Sequence, residues 1–151
     1  MNDTTAAPDG AYAGIPLHYW PVALLSSLWN AFGCFDYAMT ASRNAGYLAQ
    51  FPPEAVAYID GMAGWALAAW ACGVWAGLFG SLFLLLRWRF AIHAFALSLA
   101  GLAATTSYQE TVAMPDAMTT AGMQAMTAAI WVVAILLLVY AGWMRRRGVI
   151  R

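Results

Sequence analysis

The sequence predicts an all-α integral membrane bundle of four helices, with both chain ends on the cytoplasmic side. Three observations lead there: long unbroken apolar runs, a scarcity of charge, and arginines gathered on one side of those runs. Of the 151 residues, 63% are apolar and 9% charged, against roughly 45–50% and 25% in soluble domains. Such a chain has too little polar surface to coat a globule. It suits a bilayer, where each spanning helix needs about 20 apolar residues. Barrel strands would instead alternate over about ten residues.

The first span is expected over Tyr19–Ala41, with Pro21 tolerated in the first turn because its missing N–H would be unpaired there anyway. The second runs over Met62–Leu86, the third over Phe90–Gln109 and the fourth over Met123–Met144. At 1.5 Å rise per residue each reaches the roughly 30 Å hydrocarbon thickness. Residues 1–16 carry no Arg or Lys. A secretory signal needs a basic start, so this stretch reads as a short disordered cytoplasmic tail. Residues 17–144 form the transmembrane domain and 145–151 a basic cytoplasmic tail.

Orientation follows from the basic residues, all seven of which are arginine. Arg87 and Arg89 sit in the turn between spans two and three, and Arg145, Arg146, Arg147 and Arg151 follow span four. The other side holds only Arg43, with Glu54, Asp60, Glu110 and Asp116. Cytoplasmic loops carry the arginine excess, so the arginine-rich side is inside, and an even number of spans puts the N-terminus there too. The loop Asn44–Gly61 lies outside. Within it, Pro52-Pro53-Glu54 reads as the start of a short helix, with proline in the first turn and an acid near the N-terminus.

Helices in lipid associate through small residues and polar contacts. Span two carries Ala66, Ala69, Gly73, Ala76 and Gly80 at spacings of three and four, and span three repeats the pattern with Ala91, Ala94, Ser98, Gly101 and Thr105. The short Arg-Trp-Arg turn makes these spans antiparallel neighbours, so the seams predict a tight hairpin. Gly73 and Gly77 also form a GxxxG, a weak dimer signal that reads better as part of this internal seam. Span four is apolar all round from Ala128 to Tyr140 and suits contact with lipid.

Span one is unlike the rest. Ser26, Asn30, Gly33, Asp36, Tyr37, Thr40 and Arg43 fall on one arc of about 140°, opposite Leu24, Leu28, Ala31 and Phe35. A lipid-facing carboxylate costs about 2.5–3.5 kcal/mol even on the mild insertion scale, so the arc must face protein. Two readings compete for it. Asp36, Asn30, Tyr37, Thr40 and Arg43 line a polar transport path, because intramembrane acids commonly mark such paths. Alternatively Arg43, seven residues on, neutralises Asp36 and pins the helix, while Asn30 bonds to another helix.

Soft-metal and haem chemistry also have candidate residues. His18 and His93 share one depth, where two histidines can bracket a haem iron or simply face headgroups. Met39, Met62, Met114, Met118, Met123 and Met126 gather towards the outer side with Cys34 near them in depth. Thioethers suit Cu(I), yet methionine is also an ordinary filler of apolar gaps. The second cysteine, Cys72, makes no CxxC pair with Cys34. Neither a metal nor a cofactor is therefore predicted. No nucleophile–base pair or nucleotide loop points to an enzyme, and no aromatic-basic stripe points to nucleic acid.

The stretch LWNAFGCFDYAMTASRNAGYLAQFPPEAVAYIDG, Leu28–Gly61, and its continuation WALAAWACGVWAGLFGSLFLLLRWR, Trp65–Arg89, resemble a group of small bacterial four-span membrane proteins. Some of that group carry the label "sugar transporter". The resemblance implies a bacterial inner-membrane location and brings no established site residues. Two functional classes remain. One is a small oligomeric transporter for a small solute, with a membrane-embedded acid. The other is a non-catalytic accessory or assembly subunit of a larger membrane complex. The expected partners are the lipid bilayer and further copies or subunits.

Overall fold

The computed structural model describes residues 14–151, so most of the expected N-terminal tail lies outside the described residues. Those residues form six α-helices and no strand. They are α1 (Tyr19–Ala41), α2 (Ala45–Leu48), α3 (Pro53–Asp60), α4 (Gly64–Leu85), α5 (Phe90–Thr111) and α6 (Ala121–Arg146), with one 3-10 turn at Asp116–Met118. The expected loop helix is α3, with Pro52 as its N-cap, Pro53 at its start and Glu54 in its first turn.

Three helices, α4, α5 and α6, are long and apolar enough to cross a membrane. The chain is thus a multi-pass membrane protein by length and composition. At 23 residues α1 matches them in length, but Ser26, Ser27, Asn30, Asp36 and Thr40 dilute its apolar character.

Three helices end in the same hydrogen-bonded wrap, in which the two residues beyond the cap donate back to the last turn. After α1, Arg43 and Asn44 donate to the carbonyls of Thr40 and Met39; after α4, Arg87 and Trp88 donate to those of Leu84 and Phe83. After α6, Gly148 and Val149 donate to Arg145 and Met144. This wrap needs a left-handed residue, which glycine supplies at Gly148 (φ 70°), whereas Arg43 (φ 55°) and Arg87 (φ 60°) adopt it despite the steric cost of a Cβ.

The long helices pack in the order α1–α4–α5–α6, with α4 against α5 the most extensive contact. The small-residue seams explain that closeness. A Cβ at Gly101 would fall 2.6 Å from the Gly73 amide nitrogen and 2.7 Å from the Ala69 carbonyl oxygen. Ser98 Oγ donates to the Gly73 carbonyl across the same seam at 2.7 Å. At Gly80 a Cβ would lie 2.7 Å from the Phe95 ring.

The core lies at one end of the bundle. Tyr19 and Ala23 from the start of α1, Leu84 from the end of α4, Ala91 and Phe95 from the start of α5, and Leu137, Ala141 and Met144 from the end of α6 form one buried cluster. The first and last helices therefore begin and end side by side. From that end α6 diverges: its first half is almost wholly exposed, with Ile130, Val132, Ile135 and Leu136 turned outward.

The segment after α6 does not hang free. Val149 and Ile150 join the core at 2% exposure each. Arg151 donates its N–H to the Arg87 carbonyl at 2.9 Å and accepts from the Arg89 N–H at 2.7 Å, while Arg87 Nε donates to the Val149 carbonyl at 2.9 Å. The two apolar residues between the arginines make the basic tail a strap across the α4–α5 turn.

Candidate functional site

The polar arc of α1 is the chemical centre of the chain, and α4 takes most of it. Asn30 donates through Nδ2 to Ser81 Oγ at 3.0 Å and to its own helix at the Ser26 carbonyl at 2.9 Å. Ser81, fully buried, passes its own proton to the Gly77 carbonyl at 3.1 Å. The carboxamide fits because Gly77 has no side chain: a Cβ there would collide with it and stand 3.1 Å from Ser98 Oγ. One glycine thus hosts a polar node shared by α1, α4 and α5.

Further along the helix, the thiol of Cys34 donates to the Val74 carbonyl at 3.2 Å. The Tyr37 ring stands edge-on to Trp70, centroids 5.1 Å apart. Thr40 is buried.

Asp36 departs from this pattern. On the helical wheel it lies about 100° from Tyr37, at the edge of the arc, and it turns from α4 to α2. The Tyr47 hydroxyl donates to Asp36 Oδ1. The Tyr47 ring sits edge-on to Phe35 and tilted on Phe51, and Asn44 fixes the backbone by accepting the Tyr47 N–H at 3.0 Å. Burial, then the hydrogen bond to Asp36 and its charge, push Tyr47 up to about 12.

The expected Asp36–Arg43 pairing is not what forms. Arg43 makes its ion pair with Asp60 at the end of α3, both partners about half-exposed. The physical reason is the left-handed turn at Arg43, which ends α1 and aims the guanidinium away from the helix axis. Both true partners, Tyr47 and Asp60, lie in the segment between α1 and α4. The sequence signal was Asn44, a capping residue that starts a new turn and folds the loop back on α1.

A second polar place lies where α5 and α6 diverge. An open groove of about 560 Å³ is lined by Gln109 and Glu110 from α5, Met114 and Met118 from the connecting segment, and Met123, Gln124 and Trp131 from α6. Three of the methionines expected on the outer side thus share one surface, whereas Cys34 is held between α1 and α4. His18 stacks on Trp143 with centroids 5.8 Å apart, and His93 lies beside Phe90. Among the described residues no three His, Cys, Asp or Glu side chains come together as a metal site.

No family model, no curated protein and no solved structure matches this chain.

Proposed function

We propose that the chain is a four-span protein of a bacterial inner membrane, N-in and C-in, that serves as a non-catalytic accessory or assembly subunit of a larger membrane complex. The observation that carries this reading is the fate of the α1 arc. Asn30 and Tyr37 of the arc, with Cys34 beside it, are used on α4, so the polar face holds the chain's own bundle together and does not line an open path. A helix that bonds this way gains about 0.6–2 kcal/mol per contact, enough reason to keep polar groups in lipid.

Four spans follow if α1, of 23 residues, crosses alongside its neighbour α4, of 22. The cytoplasmic side is then the end bearing Arg87, Arg89 and the α6 arginines. The outward half of α6, apolar and without a neighbour in its own chain, is the surface a partner would cover. Gentle affinity purification from native membranes with native mass spectrometry tests the reading. A constant ratio to a second membrane protein is expected; a homogeneous homo-oligomer with no partner speaks against it.

Solute transport is the second reading, favoured by one observation: the outer groove combines Glu110 and two glutamines with Trp131, a polar and aromatic lining suited to a small solute. On that reading Asp36→Asn and Glu110→Gln leave the fold intact and abolish uptake into liposomes.

A further inference from the structure

The basic end of the molecule brings like charges together. The strap bonds place Arg151 beside Arg87, and the two arginines with Leu86 and Trp88 line a shallow groove of about 470 Å³. All five described acids, Asp36, Glu54, Asp60, Glu110 and Asp116, lie in the outer half of α1 or beyond, towards the opposite end of the bundle. The one ion pair among the described residues, Arg43 to Asp60, is also there. Main-chain bonds therefore hold Arg87 and Arg151 on one groove, at an end of the bundle that carries no described Asp or Glu side chain, a positive setting that an anion can enter.

We propose that the Arg87–Arg151 groove binds the phosphate of an acidic phospholipid headgroup. The arginine fork matches phosphate oxygens in a bidentate way, and basic pockets at the ends of membrane helices hold anionic headgroups. Arg87 uses Nε on the Val149 carbonyl, which leaves its terminal nitrogens for the ligand and fixes the direction of the fork. Trp88 and Phe90, each about half-exposed, lie beside the groove at the depth where aromatic rings meet headgroups and upper acyl chains. The lipid would lock the strap to the α4–α5 turn and so cover the inner core. This inference rests on the membrane reading alone and holds for either functional class.

The test is lipid retention by the intact purified protein, read by native mass spectrometry in mixed phosphatidylglycerol and phosphatidylcholine. Phosphatidylglycerol is expected to stay bound preferentially, and about fivefold more weakly for each groove arginine removed, in Arg151→Gln and in Arg87→Gln. Arg151→Gln is the deciding variant, because the strap bonds use the Arg151 backbone and survive the change. The double variant Arg145→Gln/Arg146→Gln, which keeps the groove, is expected to retain the lipid. Equal retention of the two lipids, or a loss in that control as large as in Arg151→Gln, overturns the site. Displacement of the lipid by millimolar inorganic phosphate alone would make the ligand a free anion and overturn the lipid assignment.

Discussion

Asn30 of α1 reaches Ser81 of α4 at 3.0 Å through the space left empty at Gly77. A donor on α1, an acceptor on the neighbouring helix and an absent side chain between them form one unit. Gly77→Ala should therefore destabilise the bundle by about 1–3 kcal/mol, as overpacking does. The double variant Gly77→Ala/Asn30→Ala removes the colliding group and should recover part of that loss. Thermal unfolding in detergent of the four proteins of this cycle reads the coupling; strictly additive effects would mean that the residues do not share the space.

The α4–α5 seam predicts an order of severity. A methyl at Gly101 meets the backbone of Gly73 and Ala69, which has nowhere to go, whereas a methyl at Gly80 meets the Phe95 ring, which can tilt. Gly101→Ala is expected to lower the melting temperature more than Gly80→Ala. The reverse order would show that the helices separate along the seam more easily than the contacts imply.

Gly148 is the hinge of the C-terminal strap. Its left-handed conformation (φ 70°) becomes strained with any side chain, at about 1–2 kcal/mol. Gly148→Ala should loosen Val149 and Ile150 from the core, visible as faster hydrogen exchange at the Val149 and Arg151 amides. Unchanged exchange there would refute the strap as a packed element.

The Asp36–Tyr47 pair predicts a pH signature. The Tyr47 phenol lies above its ordinary value of 10.0, at about 12. The contribution of the neutral phenol is therefore complete below about pH 10 and is lost as pH rises through about 12. The phenolate absorbance difference between the parent protein and Tyr47→Phe isolates this transition. Asp36→Asn removes the carboxylate charge and should move it to lower pH; an unmoved transition would show that the two side chains are not paired.

Most of the frame was legible from residues alone, because the cues were periodic. The spacing of Gly73, Ala76 and Gly80 against Ala94, Ser98 and Gly101 identified the hairpin. The helix limits Tyr19–Ala41 agree with the apolar run, and Asn30 emerged as a bond to another helix. The partners of Asp36 and Arg43 had only the Asn44 cap as a cue, since each depends on the left-handed turn at Arg43, where no glycine announces it. The strap was hidden for a related reason: charge marks Arg145–Arg151 as a solvated tail, and two buried residues, Val149 and Ile150, outweigh that impression only once Gly148 reverses the chain. The span count also reflects a balance of cues, because the polar residues that make α1 interesting are those that lower its apolar character.

The central claim is that the polar face of α1 is packed on α4 and closed to water. Cys34, beside that face, is a native probe of the α1–α4 contact, 5% exposed and bonded to Val74. With Cys72→Ser it is the sole thiol of the chain. The direct measurement is its modification by a small water-soluble maleimide in native membranes, with Gln50→Cys as an exposed reference. The account predicts that Cys34 stays unmodified while residue 50 reacts, and that Cys34 reacts only after unfolding in SDS. Rapid modification of Cys34 in the native membrane would contradict it and would restore the arc as a water-filled path.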